Sequence, residues 1–411
     1  MKSCTDTYNS CARDYLALEL CYPRQSAPCG LFHDGTHIMH RSYSIAGKIA
    51  RSSSLCREAC MSGLIVPFLV ASLTPSLVLP RHSQAQAPSH SEALAPLRAQ
   101  APTKPATAIT DLFRYEPTGL SLLRPYVRGK IPVVFVHGLW SNPWSWDRMI
   151  KTLEADPLLD ARYQFWTYGY STGDPIPHSA SLLRHNLEQA RRKFAPDDSD
   201  PAFNRMVLIG HSMGGLLSKM MVVSSGTRLW NVISDRPFDE VAAETSDREL
   251  FRKALIFEPR PEIRRVVFIA TPHQGSRVDR GSIQRIGTRL VRLPDPLRAA
   301  HHRLIAGNDQ TFFKEHFRRS LPTSIDELQW GSPILTGLHE LNVTPAVKAH
   351  SIIAVRPGKA HRDRTDGLVT YASAHIDGVA SEKIVSATHL CQDHPDVIDE
   401  VRRILIEHQM P

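Results

Sequence analysis

Between residues 131 and 408, short apolar runs alternate with stretches of helical period. That alternation limits the fold more than any other feature of the chain. The runs at 131–136, 163–168, 205–209, 265–270, 351–355 and 384–387 are short and bounded by helical or turn segments. They predict strands, and the run before Gly210 reads as a buried one. Helices are predicted over 143–154, 178–195 and 396–408. In the second of these, Leu182, Leu183, Leu187, Ala190 and Phe194 share one face. Its last turn carries Arg191, Arg192 and Lys193, as the helix dipole favours. Apolar strands separated by helices imply a mostly parallel sheet with helices on both faces, an α/β class. In such sheets, ligands bind at the carboxyl ends of the strands.

The N-terminal quarter has a different character. Residues 1–60 lack periodicity and hold six of the seven cysteines, at 4, 11, 21, 29, 56 and 60. Their spacing does not match a paired zinc pattern, and a poorly structured leader is expected. The globular part, with Cys391 alone, can form no internal disulfide. Residues 61–80 carry no charge, follow Lys48, Arg51 and Arg57, and precede Ala85-Gln86-Ala87. A basic flank, an apolar run and a small-x-small site predict a signal peptide or membrane anchor over 61–87. The expected location is therefore exported or membrane-attached, or cytoplasmic if 61–87 is not a signal. The long preceding stretch suggests a biological start at Met39 or Met61. Residues 88–105, with prolines at 88, 96, 102 and 105, read as a linker, and 106–411 as the folded domain. Half of the net charge of +8 lies in residues 1–104. No basic stripe interleaved with aromatics appears, which argues against nucleic acid. A membrane surface suits the basic balance.

Within the folded part, Met206-Val207-Leu208-Ile209 runs directly into Gly210-His211-Ser212-Met213-Gly214. A chain of this length would contain a G-x-S-x-G match by chance on the order of 0.1 times, so context decides its meaning. A buried strand precedes it, and residues 215–223 read as a buried helix. Small residues at 210, 214 and 215 let that helix pass close to its neighbours. A serine on such a strand-to-helix bend is exposed to substrate, which makes Ser212 the candidate nucleophile.

A serine hydroxyl needs a base to take its proton, and the base needs a carboxylate to orient it. Of twenty histidines, His389 alone follows an apolar strand directly and precedes the terminal helix. His375 lies in a loop, and His394 stands beside Pro395, where it suits a helix cap. Asp366, followed by Gly367 and two apolar residues, suits a turn that swings a carboxylate inward. Asp363 lies between Arg362 and Arg364, where a solvated pair is expected, and Asp377 is the other rival. The order Ser212, Asp366, His389 is the one expected for a fold with this elbow. Oxyanion donors are expected from the backbone N–H groups of Met213 and of Leu139, the latter in His137-Gly138-Leu139-Trp140 after the first apolar run.

The segments 135–139, 210–215, 270–276 and 366–369 together resemble the α/β-hydrolase superfamily. Within it they are similar to bacterial lipase-like esterases and relatives of the GPI inositol-deacylase. The resemblance covers about residues 130–411. It implies the triad Ser212, Asp366, His389, with His137, Gly138 and His211 in supporting places. It also implies that Thr271-Pro272-His273 lies beside the site without His273 serving as base. The chain lacks the paired-cysteine bridge and calcium loop of true lipases. Residues 224–262 and 277–345 interrupt the strand pattern. Pieces such as 283–293 and the aromatic, basic stretch 312–317 are expected as helical cap insertions, with ordinary surface helices as the alternative. The expected activity is hydrolysis of small-molecule or lipid esters, with no cofactor and no metal. His339-Glu340 has Val343 where a zinc motif needs histidine. Transacylase, thioesterase or amidase chemistry would use the same triad, and a non-catalytic binding protein would keep only the fold.

Overall fold

All six apolar runs form strands, joined by a seventh at one edge. In chain order they are β1 (Gly119–Leu122), β2 (Ile131–Val136), β3 (Tyr163–Gly169), β4 (Met206–His211), β5 (Ile263–Ile269), β6 (Lys348–Val355) and β7 (Ser381–Ser386). This computed structural model describes residues 118–276, 293–358 and 364–409, all within the unit Ala93–Pro411. The strands make one sheet in the order β1-β3-β2-β4-β5-β6-β7. Every pairing is parallel except β1 with β3. β1 is an edge strand of four half-buried residues, so it leaves no apolar run from which sequence could predict it.

Successive side chains of a strand point to opposite faces, and the central strands use both. Val134, Val136, Leu208, Val266 and Phe268 join one apolar cluster. Val133, Phe135, Val207, Ile209, Val267 and Ile269 join another on the opposite face. Helices α1 (Asp147–Glu154), α2 (Pro157–Arg162), α3 (Ile176–Phe194) and α4 (Met213–Lys219) follow successive strands. Beyond them come α5 (Thr245–Leu255), α6 (Asp295–Ala306), α7 (Pro333–His339) and α8 (Pro395–Gln409). α3 and α4 fill the first cluster; α1, α2 and α8 fill the second. The class is α/β with helices on both faces, as the alternation predicts.

Two predicted helices differ in extent. The one expected over 143–154 opens as a tighter 3₁₀ turn at Pro143–Trp146, capped by the Asn142 side chain. α helix begins only at Asp147. The helix expected to reach residue 223 ends at Lys219. The carbonyls of Met221 and Val222 accept instead from the amides of Arg260 and Thr344, which draws the chain out of the helix.

The inserted segments extend the cluster on the α3–α4 face. Trp230 meets Phe238 edge to face at 4.9 Å between centroids, and Phe313 at 6.1 Å. Phe312, Phe313 and Phe317 are turned inward and buried. The aromatic, basic stretch 312–317 is thus amphipathic: its phenylalanines serve the core while Lys314 reaches Asp235. The piece expected at 283–293, apart from Leu293, lies outside the described residues. So do the leader, the apolar segment 61–87, the linker and Asp363. Among the described residues no helix is long and apolar enough to cross a membrane.

Candidate active site

β4 ends at the elbow that the sequence marks. Ser212 adopts φ 54° and ψ −124°, a backbone conformation that an L side chain takes only under constraint from its surroundings. That constraint is visible. The Ser212 amide donates to the Ile269 carbonyl at 2.8 Å, and the Ser212 carbonyl accepts from Gly215 at 2.9 Å. α4 also lies too close to its neighbours for larger residues. A Cβ on Gly214 would stand 2.2 Å from the Val136 carbonyl oxygen, and one on Gly215 would stand 1.9 Å from Thr271 Oγ1. The small residues of the motif are what allow the bend.

Three side chains from three strand ends converge there. Ser212 Oγ lies 2.8 Å from His389 Nε2, and His389 Nδ1 lies 2.7 Å from Asp366 Oδ2. The other carboxylate oxygen, Oδ1, accepts from the amides of Leu368 at 2.8 Å and Val369 at 2.7 Å. Both carboxylate oxygens of Asp366 are therefore engaged, which favours this one orientation. Facing a carboxylate, Nδ1 carries the ring proton, which leaves Nε2 free to accept from the serine hydroxyl. All three residues are buried, with Ser212 and His389 each 8 % exposed. Short hydrogen bonds to a carboxylate are strongest in such surroundings.

The rivals are occupied elsewhere. His375 pairs with Glu382 at 2.6 Å and Asp377 at 3.3 Å, which raises its pKa. His394 accepts from the Asp396 amide at 3.2 Å, the capping role its position suggests. The Cys391 thiol is buried beside Asp366. Burial first, and then that carboxylate's charge, push it up to about 12, so it offers no thiolate to compete with the serine.

The loop after β2 passes over the serine. A Cβ on Gly138 would stand 3.0 Å from Ser212 Cβ, so a larger residue would crowd that approach. The Ser141 amide closes a turn onto the Gly138 carbonyl at 3.3 Å, with Trp140 inside it at φ 53°. Among the described residues, neither the Leu139 nor the Met213 amide is engaged by another backbone carbonyl. His137 anchors the loop: its carbonyl accepts from the Tyr170 hydroxyl at 2.7 Å, and its ring stacks on that tyrosine at 4.5 Å. Burial lowers the His137 pKa to about 4.

His211 and His273 occupy separate places. His211 Nε2 lies 2.9 Å from the His389 carbonyl oxygen. Burial, then the neighbouring His389, lower its pKa to about 3. His273 is buried against the edge of Phe268 at 4.9 Å, and its amide donates to the Ser373 carbonyl at 2.9 Å. Burial holds its pKa well below the ordinary value. It touches neither Ser212 nor Asp366 through any hydrogen bond among the described residues.

Sequence reasoning passed over Tyr170 and Trp146. Tyr170 stands just past the end of β3, the location where a parallel sheet places its site, and that rule alone would have singled it out. Trp146 meets the His211 ring edge on at 6.5 Å and carries no sequence signal.

Residues 133–401 match the alpha/beta hydrolase family. The chain belongs to that family. It is 27% identical over 141 residues to the abhydrolase domain-containing protein abhd-5.2 of Caenorhabditis elegans, an alignment covering 33% of this chain and 30% of the relative. The matched region thus spans under a third of that relative's length. A mature lipase of Bacillus licheniformis superposes with a TM-score of 0.40 at 14% identity, covering 69% of this chain and 95% of that one. A structure reported for carboxylesterases of Nitrososphaera gargenis superposes with a TM-score of 0.37 at 14% identity, covering 68% and 91%.

Proposed function

We propose that this hydrolase cleaves carboxylic esters through an acyl-enzyme on Ser212. The observation that carries the reading is the continuous hydrogen-bonded chain from Ser212 Oγ through the His389 ring to Asp366, with steps of 2.8 and 2.7 Å. In the first half-reaction Oγ attacks the ester carbonyl and its proton passes to His389 Nε2. The carbonyl oxygen becomes an oxyanion held by the Leu139 and Met213 amides. As the intermediate collapses, the C–O bond breaks and His389 returns the proton to the leaving alkoxide. Water then adds to the acyl-serine, again giving its proton to His389, and releases the acid as Ser212 recovers its proton. Asp366 keeps the imidazole in the required tautomer and stabilises the imidazolium.

The substrate class is a small-molecule or lipid ester. Export or membrane attachment through 61–87 is part of the proposal and rests on the sequence of that segment. Purified protein should hydrolyse short p-nitrophenyl acyl esters, and Ser212→Ala should reduce kcat by at least about 10⁴-fold. The same substitution should abolish covalent labelling by a fluorophosphonate. Activity undiminished in that variant would sink the reading.

A further inference from the structure

The base loop carries a second connection to the elbow besides the catalytic one. His389 follows β7, whose last residue is Ser386, and the Ala387 amide still donates to Val355 at 3.1 Å. The next residues leave the sheet, and Leu390 is exposed. An imidazole has two side-chain torsions, so its ring sits where its own backbone puts it. The His389 carbonyl accepts from two donors. One is the Cys391 amide at 2.9 Å, a local turn. The other, His211 Nε2 at 2.9 Å, comes from 178 residues away in the chain.

His211 is also the residue before Ser212. Positions 211 and 212 therefore grip position 389 twice, once by its backbone and once by its ring. The same His211 ring borders the oxyanion loop, since a Cβ on Gly138 would stand 3.1 Å from His211 Nδ1. Trp146 closes the ring in at 6.5 Å, and the His389 ring lies 5.1 Å away. One buried side chain thus borders the elbow, the oxyanion loop and the base loop.

We propose that His211 is a positioning residue, whose Nε2–H holds the His389 backbone so that the base meets Ser212 and Asp366 in one geometry. This role rests on the serine mechanism above. A carbonyl acceptor requires the proton on Nε2 of His211. The ring must also stay neutral, because a second cation beside His389 would oppose formation of the imidazolium. The charged and titratable groups facing it are His389, Asp366 and His137, and burial keeps it uncharged.

The test compares His211→Gln, whose amide nitrogen can reach the same carbonyl, with His211→Leu, which keeps bulk and loses the donor. The leucine variant should lose kcat by about 10- to 100-fold through misplacement of the base, with KM within about twofold. The glutamine variant should stay within about threefold of wild type on the same scale. Fluorophosphonate labelling rates should follow the same order. Equal thermal melting of the two variants would exclude a folding effect. Leucine matching wild type, or glutamine failing as badly as leucine in a folded protein, would overturn the role. Imidazole ¹⁵N spectra of wild-type protein give a reading independent of any variant. His211 should remain the Nε2–H tautomer from pH 5 to 9, and an Nδ1–H tautomer would overturn the inference. The two readings fail separately. Retained activity in Ser212→Ala removes the serine mechanism and this role with it, whereas an unchanged His211→Leu removes only the role.

Discussion

Asp366 shows how a single residue acquires a role from its surroundings. Its carboxylate holds the His389 ring with one oxygen and two backbone amides with the other. An asparagine would fit the same turn, but its amide group would face Nδ1 with a donor or a weaker acceptor. It could then favour the wrong tautomer, which places a proton on Nε2 where the serine proton must go. Asp366→Asn should therefore lower kcat by about 10⁴-fold while thermal melting changes little. Steady-state kinetics beside a melting curve checks this. A variant that keeps most of its activity would show that the ring does not need the charge. In the sequence, Asp366 stands out because a glycine and two apolar residues follow it. In the structure the reason is the pair of amides at Leu368 and Val369, which only the turn itself brings round.

Among elements, the second insertion meets the sheet's carboxyl edge through Ser324–Glu327, a turn with its own capping box at Thr323 and Asp326. Ser324 donates to the Thr172 carbonyl at 2.5 Å. Glu327 accepts from the Ile176 amide at the start of α3 at 2.5 Å. Glu327 is buried, and burial raises its pKa from 4.5 to about 8. The folded state then binds a proton more tightly than the unfolded chain does. The stabilisation is full below about pH 4.5 and is lost as pH rises through about 8. Glu327→Gln keeps the carbonyl acceptor and removes the titration. Its melting temperature should match wild type near pH 4.5 and exceed it increasingly toward pH 9. A difference that stays constant with pH would mean that Glu327 is not the titrating group. No sequence signal points to this contact, because 151 residues separate its partners and Glu327 reads as one more surface acid.

For the molecule as a whole, the described fold lies within Ala93–Pro411 and the family match within 133–401. If the proposed ester hydrolysis holds, residues 106–411 alone should fold and turn over p-nitrophenyl esters within about twofold of the full chain. This follows because the core, the elbow and all three site strands are present, and domains of this kind fold as units. Circular dichroism and p-nitrophenyl ester turnover of that fragment would test it; an unfolded or inactive fragment would assign the preceding residues a part in the fold. The periodic and the local features are legible in the residues alone. Apolar runs of strand length imposed the parallel order, and small residues at 210, 214 and 215 permitted the bend at Ser212. The chain order Ser212, Asp366, His389 is the one expected with a G-x-S-x-G elbow at a strand end. The tertiary structure alone decided matters that depend on distant partners. It set where α4 stops, since Arg260 and Thr344 take the carbonyls of Met221 and Val222 just beyond it. It turned Phe312, Phe313 and Phe317 inward, with Phe313 meeting Trp230. It also joined His211 to the His389 carbonyl, because a hydrogen bond across 178 residues exists only once β4 and the loop after β7 reach the same edge of one sheet.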